Sequence, residues 1–202
     1  MGTAYHHAVW TLRSIHLVSP ADANFLEELM QNIALIYSTV DGQTKRICDA
    51  MVGHMSAHAK VTVFSLEQAT TAELTQYDKA MIGASIRYGK YRPALFEFIK
   101  QHQKWLTETQ SGFFSVNVVA RKPEKNTPET NPYMRNFLKL STWVPAVQGV
   151  FAGKIEYPKY GMFDRTMIRF IMWITKGPTD TSGTYEFTDW DQVEHFAKKF
   201  IS

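Results

Sequence analysis

Thr39, Asp41, Gly42, Gln43 and Thr44 stand as Thr-x-Asp-Gly-Gln-Thr directly after a short apolar run. Hydroxyls and backbone N–H groups gathered at the start of a helix can seat a phosphate. The first amides of a helix are unpaired, and its dipole is positive at that end. The stretch lacks both the Gly-x-x-x-x-Gly-Lys-Ser/Thr spacing of a triphosphate cradle and the Gly-x-Gly-x-x-Gly of a dinucleotide turn. A monophosphate held without a lysine remains.

The other residues capable of chemistry carry less. Cys48 is the single cysteine and falls on an apolar helical stripe, so it reads as a core thiol. His6, His7 and His16 match no ligand spacing, and no metal is expected. His54 and His58 lie four apart, which on a helix reads as a surface pair.

Elements must position that phosphate seat. Residues 33–37, Ile-Ala-Leu-Ile-Tyr, show no solvent-facing alternation, as a strand covered on both faces requires. Ile47, Cys48, Met51, Val52 and Met55 then build one face of a helix. Further strands are expected over 60–66, 79–84, 112–119 and 147–152. Helices are expected from Pro93 through Leu106, over 128–140 and over 189–201. This alternation calls for a doubly wound, mostly parallel sheet. Right-handed crossovers bring the loops 38–44, 85–89 and 115–120 to its carboxyl edge, where ligands of open α/β sheets bind.

The 202-residue chain has the length of one decorated domain. The expected boundaries are an extension over 1–29, outside the core, and a domain over 30–202. No signal peptide is expected, because residues 1–29 hold no continuous apolar stretch. No apolar run reaches the roughly 18–20 residues that span a bilayer. Charge is uneven: residues 121–176 hold 10 Lys/Arg against 4 Asp/Glu, and the remainder 12 against 15. A basic half suits an anionic ligand or an anionic membrane. Residues 162–176 crowd Met162, Phe163, Met167, Ile168, Phe170, Ile171, Met172, Trp173 and Ile174 around Arg165, Arg169 and Lys176. That composition suits a helix lying in a headgroup region, or one packed on its own domain or across a dimer.

Three stretches carry a family resemblance: the Thr-x-Asp-Gly-Gln-Thr loop, Ile-Gly-Ala-Ser-Ile-Arg-Tyr-Gly at 82–89, and Ser-Val-Asn-Val-Val-Ala-Arg-Lys-Pro-Glu-Lys at 115–125. With Thr188, Asp189 and Trp190, they resemble the flavodoxin-like, quinone-linked protoporphyrinogen IX dehydrogenases of bacterial haem synthesis. The resemblance covers about residue 30 to the end. It implies a five-stranded parallel sheet of order 2-1-3-4-5 with an inserted amphipathic helical segment.

The resemblance also implies an FMN cofactor. Ser38, Thr39, Asp41, Gly42, Gln43 and Thr44 would enclose its phosphate, with Ser85, Ile86, Arg87, Tyr88 and Gly89 on one side of the ring and Ser115, Val116 and Asn117 on the other. Asp41, an acid beside a dianion, is expected to cap backbone N–H groups facing away from it, or to be a plain helix N-cap. Tyr88 or Tyr91 could stack on the flavin, the other reading being ordinary surface tyrosines. The flavin carries the chemistry, so no catalytic dyad is expected.

Protoporphyrinogen IX carries propionates, and arginine pairs with carboxylates by parallel hydrogen bonds. Arg87, Arg121, Lys122, Lys125 and Arg135 are the candidates for them. The implied partners are the porphyrinogen, a menaquinone or ubiquinone, and the inner-membrane surface through residues 162–176; nucleic acid is not implied. The implied location is peripheral, on the cytoplasmic face of a bacterial inner membrane. The alternatives are an NAD(P)H:quinone reductase with flavin, or a flavodoxin-type electron carrier. A carrier generally needs an acidic face, which the basic half of this chain argues against.

Overall fold

The computed structural model describes residues 30–202, and the extension expected over 1–29 lies outside them. The unit formed by Gln31–Ser202 is built on five parallel strands, β1 (Gln31–Ser38), β2 (Ala59–Ser65), β3 (Lys79–Ser85), β4 (Gln110–Val116) and β5 (Val147–Phe151). Their order is β2-β1-β3-β4-β5, all pairs parallel. The central strands are apolar on both faces because both faces are covered. Ile33, Ala34, Leu35 and Ile36 of β1 and Ala80, Met81 and Ile82 of β3 are fully buried.

Seven helices clothe and extend the described sheet: α1 (Gln43–Met55), α2 (Leu66–Ala69), α3 (Pro93–Gln101), α4 (Gln103–Glu108), α5 (Pro132–Leu140), α6 (Met162–Ile174) and α7 (Trp190–Ile201). One face packs Ile47, Met51, Val193, Ala197 and Phe200 of α1 and α7 on Ile33, Leu35 and Phe114. The other packs Leu95, Phe98, Leu106 and Phe137 of α3, α4 and α5 on Ala34, Ile36, Ile82 and Phe113. Each fully buried Leu, Ile or Phe contributes about 1.5–3 kcal/mol. Cys48 belongs to the first layer, where burial pushes its thiol up and away from reactivity. Lys79 is buried at the start of β3. Its ammonium donates to the carbonyls of Phe200 (3.2 Å) and Ile201 (3.3 Å), closing the C-terminal end of α7.

Several local expectations are corrected. The fourth strand stops at Val116, and Val118–Arg121 is a 3-10 turn capped by Asn117, whose side chain accepts from the Ala120 amide. The helix after Pro93 breaks at His102 into α3 and α4. Helix α1 ends at Met55, so His58 sits in the following turn and does not share a helical face with His54. A second, two-stranded antiparallel sheet, β6 (Lys154–Glu156) with β7 (Thr184–Glu186), brackets α6. It was not legible in the sequence, because strands of three residues leave no period to read.

Close packing at the sheet is tightest where β3 crosses β4. A Cβ on Gly83 would collide with the ring of Phe114. Overpacking of that kind costs about 1–3 kcal/mol. Gly83→Val is therefore expected to lower the urea midpoint with an unchanged m-value. An unchanged midpoint would show that the Phe114 ring can move aside.

Candidate functional site

Helix α1 begins without a side-chain cap. Its N-cap is Gly42 at φ +86°, a left-handed conformation that favours glycine. The Thr39 hydroxyl accepts from the Gly42 amide at 3.0 Å and closes the turn. Thr44 is fully buried and Gln43 nearly so, yet Thr44 Oγ1 and Gln43 Oε1 have no hydrogen-bond partner among the described residues. A buried polar atom without a partner costs roughly 1–3 kcal/mol. The Thr44 hydroxyl can donate, and beside unpaired helix amides it marks a seat for an anion; the Gln43 oxygen, an acceptor, adds nothing to that seat.

Gln43 is held from outside the loop. Its amide nitrogen donates to Thr188 Oγ1 (2.8 Å) and Glu186 Oε1 (3.3 Å), while Arg46 pairs with Glu186 at 2.6 Å. Thr188 in turn donates to the Ala152 carbonyl at 2.9 Å. Burial opposes the charge on Glu186, but the hydrogen bonds from Arg46 and Gln43 outweigh it and hold the carboxyl below its usual range. Short β7 thus fastens the start of α1, and Arg46 also stacks over Trp190 at 5.0 Å.

The three carboxyl-edge loops converge on one cleft open to solvent. Thr39, Asp41, Gln43, Ser85, Ile86, Arg87, Tyr88, Gly89, Val116 and Asn117 all line it. Ser38 and Ser115 are buried behind its wall, and Ser115 accepts from Asn117 Nδ2 at 3.0 Å and from Tyr91 Oη at 2.8 Å. Asn117 Oδ1 also accepts a hydrogen bond from Asn131 Nδ2 at 3.2 Å, so the loop after β4 is anchored to α5. The opposite wall was not foreseen. Val118, Val119, Tyr133, Gly153, Lys154, Ile155, Tyr160, Met167, Ile168, Ile171 and Met172 complete the lining. An apolar run signals burial, but nothing local says which cleft it faces.

Two expectations about individual side chains are corrected. Asp41 caps no amide of α1; its carboxylate takes two bonds from Arg87 Nη1 at 2.8 and 3.1 Å. Tyr91 is neither a stacking residue nor a surface one. It is 6% exposed and edge-on to Phe96, Phe113 and Phe137. Tyr88 does stand at the cleft, at φ +51° and exposed.

The five cations proposed for substrate carboxylates divide. Arg87 lines the cleft, and besides Asp41 it holds Asp164 at 2.6 Å. Arg121, Lys122, Lys125 and Arg135 are not among the lining residues. Arg121 donates to Val118 O (3.1 Å), Thr175 O (2.9 Å) and Thr175 Oγ1 (2.9 Å), tying the 3-10 turn to the end of α6. Lys154 was overlooked. It lines the cleft and pairs with Glu156 at 3.0 Å, a carboxylate shared with Lys159. Among the described residues no cluster of His, Cys, Asp and Glu could hold a metal.

A family model described as a flavodoxin domain matches residues 34–182. The chain belongs to the flavodoxin-domain family. It is similar to the protoporphyrinogen IX dehydrogenase (quinone) of Leishmania major, 44% identical over 83% of this chain and 74% of that one. It is also similar to the protein of the same name in Escherichia coli strain K12, at 43% identity over 82% and 92% respectively. A solved short-chain flavodoxin associated with a non-canonical PDU bacterial microcompartment shares the fold. Its TM-score is 0.50 at 12% identity, over 85% of this chain and 97% of that one.

FMN fits the flavodoxin-domain site of this chain. Its phosphate would answer the orphaned Thr44 hydroxyl and the first amides of α1, which lie beside the cleft lining, and the loops 85–89 and 116–117 border the space beyond. A hydrogen bond to a charged group is worth about 1.5–3 kcal/mol. Thr44→Val should therefore weaken FMN binding by about 10- to 100-fold and leave riboflavin binding unchanged. The apoprotein should melt no lower than the parent, since the substitution removes an unpaired hydroxyl and keeps the volume. Equal losses for FMN and riboflavin would place the phosphate elsewhere.

Proposed function

We propose that the chain oxidises protoporphyrinogen IX to protoporphyrin IX with FMN and passes the electrons to a quinone. Relatives of that name at 43–44% identity support the reaction. The observation in this chain that carries it is the cleft: flavin loops face an apolar wall of Met167, Ile168, Ile171 and Met172. That wall suits a large apolar macrocycle better than a polar dinucleotide.

Bound FMN supplies the redox chemistry. The residues of the chain seat and orient. Thr44 and the amides of α1 hold the phosphate, the loop from Ser85 to Gly89 and Val116–Asn117 flank the ring, and the α6 side chains keep water from the reacting face. Lys154 is the cation we assign to a substrate carboxylate, since Arg121 is committed to the Thr175 and Val118 carbonyls. Glu156 keeps Lys159 as a partner when Lys154 turns to the substrate.

The outer face of α6 is apolar and uncovered: Met162 is 85% exposed, Phe163 77% and Trp173 69%. No helix among the described residues is long and apolar enough to cross a membrane. An apolar face on a short helix, with Arg169 and Lys176 nearby and exposed, supports peripheral docking in the headgroup region. We assign the protein to the cytoplasmic face of an inner membrane, where docking through α6 would bring the cleft beside a lipophilic quinone.

Two experiments test these assignments. Under anaerobic conditions the FMN-loaded protein should raise porphyrin fluorescence from protoporphyrinogen when menaquinone or ubiquinone is supplied. Flavin reduction by NADPH without porphyrin formation would sink the reaction. Separately, Phe163→Asp with Trp173→Asp should reduce sedimentation with anionic liposomes about tenfold or more, given about 1.5–3 kcal/mol per buried aromatic. Turnover with a water-soluble quinone should persist; unaltered liposome binding would refute docking through α6.

A further inference from the structure

Helix α6 is weakly rooted for an element that walls a site. Met172 alone of its 13 residues is buried, and its N-cap, Gly161, makes no side-chain bond. Arg165 ties back to the Tyr160 carbonyl at 3.1 Å, and Arg121 holds the far end at Thr175. Asp164 occupies the third helical position, where an acid ordinarily reaches back to cap its own helix. Here it reaches across the cleft mouth instead. Its carboxylate accepts from Arg87 Nη2 at 2.6 Å and from Tyr88 Oη at 2.5 Å. Both donors belong to the loop after β3, which lines the flavin side of the cleft.

We propose that Asp164 is a positioning residue for the reaction: through Arg87 and Tyr88 it holds the N-terminal half of α6, and with it Met167 and Ile168, at a set distance from the flavin loop. Resting on the reading above, it assigns a role to a residue that is not itself among those lining the cleft. The geometry is specific. Arg87 is 19% exposed and Asp164 24%, so solvent screens their charge-assisted bonds only in part. The Arg87 guanidinium spends Nη1 on Asp41 and Nη2 on Asp164, and it lies 5.0 Å from the Tyr88 ring and 5.1 Å from that of Tyr160. One planar fork thus joins the phosphate loop, the ring loop and α6, and lysine could not replace it. Tyr88 keeps φ +51°, a strained value for a tyrosine, and in that conformation its hydroxyl meets Asp164.

The test compares Asp164→Ala, Tyr88→Phe and the double variant in the full FMN-loaded protein. Asp164→Ala should speed amide hydrogen exchange over residues 162–168 about tenfold or more, with β3 and β4 unchanged. Tyr88→Phe, which removes one donor of two, should fall between it and the parent. The double variant should exchange no faster than Asp164→Ala, because both side chains act on one bond set. The KM for protoporphyrinogen should rise about tenfold in Asp164→Ala while FMN affinity stays within about twofold. Unchanged exchange over 162–168 overturns the tie whatever the substrate proves to be. Faster exchange with an unchanged KM overturns its part in the reaction, and a parallel loss of FMN affinity reassigns Asp164 to the cofactor loop. A parent protein that forms no porphyrin would fail the proposed reaction alone, since the exchange measurement stands without it.

Discussion

Helix α1 starts with amides that no side chain among the described residues caps, and beside them Thr44 buries a hydroxyl that meets no partner there. A folded chain rarely tolerates such a deficit unless a ligand removes it. Much of the architecture serves that one helix end. Strand β1 delivers the chain to it, and Gly42 makes the left-handed turn into it. Glu186 and Thr188, more than 140 residues later, grip Gln43 so that the end keeps its aim. The absence of a loop lysine is thus no weakness. Hydroxyl and amide donors in a preformed frame can bind a dianion with less reorganisation than a flexible ammonium.

The insertion between β5 and α7 builds on the same anchor. Ile155, Tyr157, Tyr160 and Met172 form a small core of their own, packed against Val118, Ile168, Tyr185 and Phe187. This core joins β6, β7 and α6 into a unit that supplies two things at once. Glu186 steadies the start of α1, and α6 walls the cleft with apolar side chains. The division of α6 follows from its wheel. Met167, Ile168, Ile171 and Met172 face the cleft, Met172 also seating in the small core, which leaves Met162, Phe163, Phe170, Trp173 and Ile174 outside.

Much of the sheet was legible in the chain because its signals are local. The unbroken run 33–36 and the apolar stripe of α1 each state their environment without reference to distant residues. The loops at the carboxyl edge followed from handedness and chain order. What failed were features whose cause is remote. The Asp41 carboxylate could not be assigned from its neighbours in sequence, because its partner, Arg87, is 46 positions away. Tyr91 reads as a surface residue beside Lys90 and Arg92, and only the packing of Phe96, Phe113 and Phe137 around it reveals a core position.

The sequence by itself determined the parallel sheet, the turn at Gly42 and the hydroxyl-rich helix start. Periodicity, glycine conformation and helix-end chemistry all act within a few residues. Tertiary structure alone decided what each cation meets. Arg121 turns inward to Thr175 and Arg87 is shared between two aspartates, while Lys154 comes to the cleft on a three-residue strand. A charge is the same letter in sequence whether it is solvated, paired or aimed at a ligand. Its role is set by partners that only folding brings within a few ångströms.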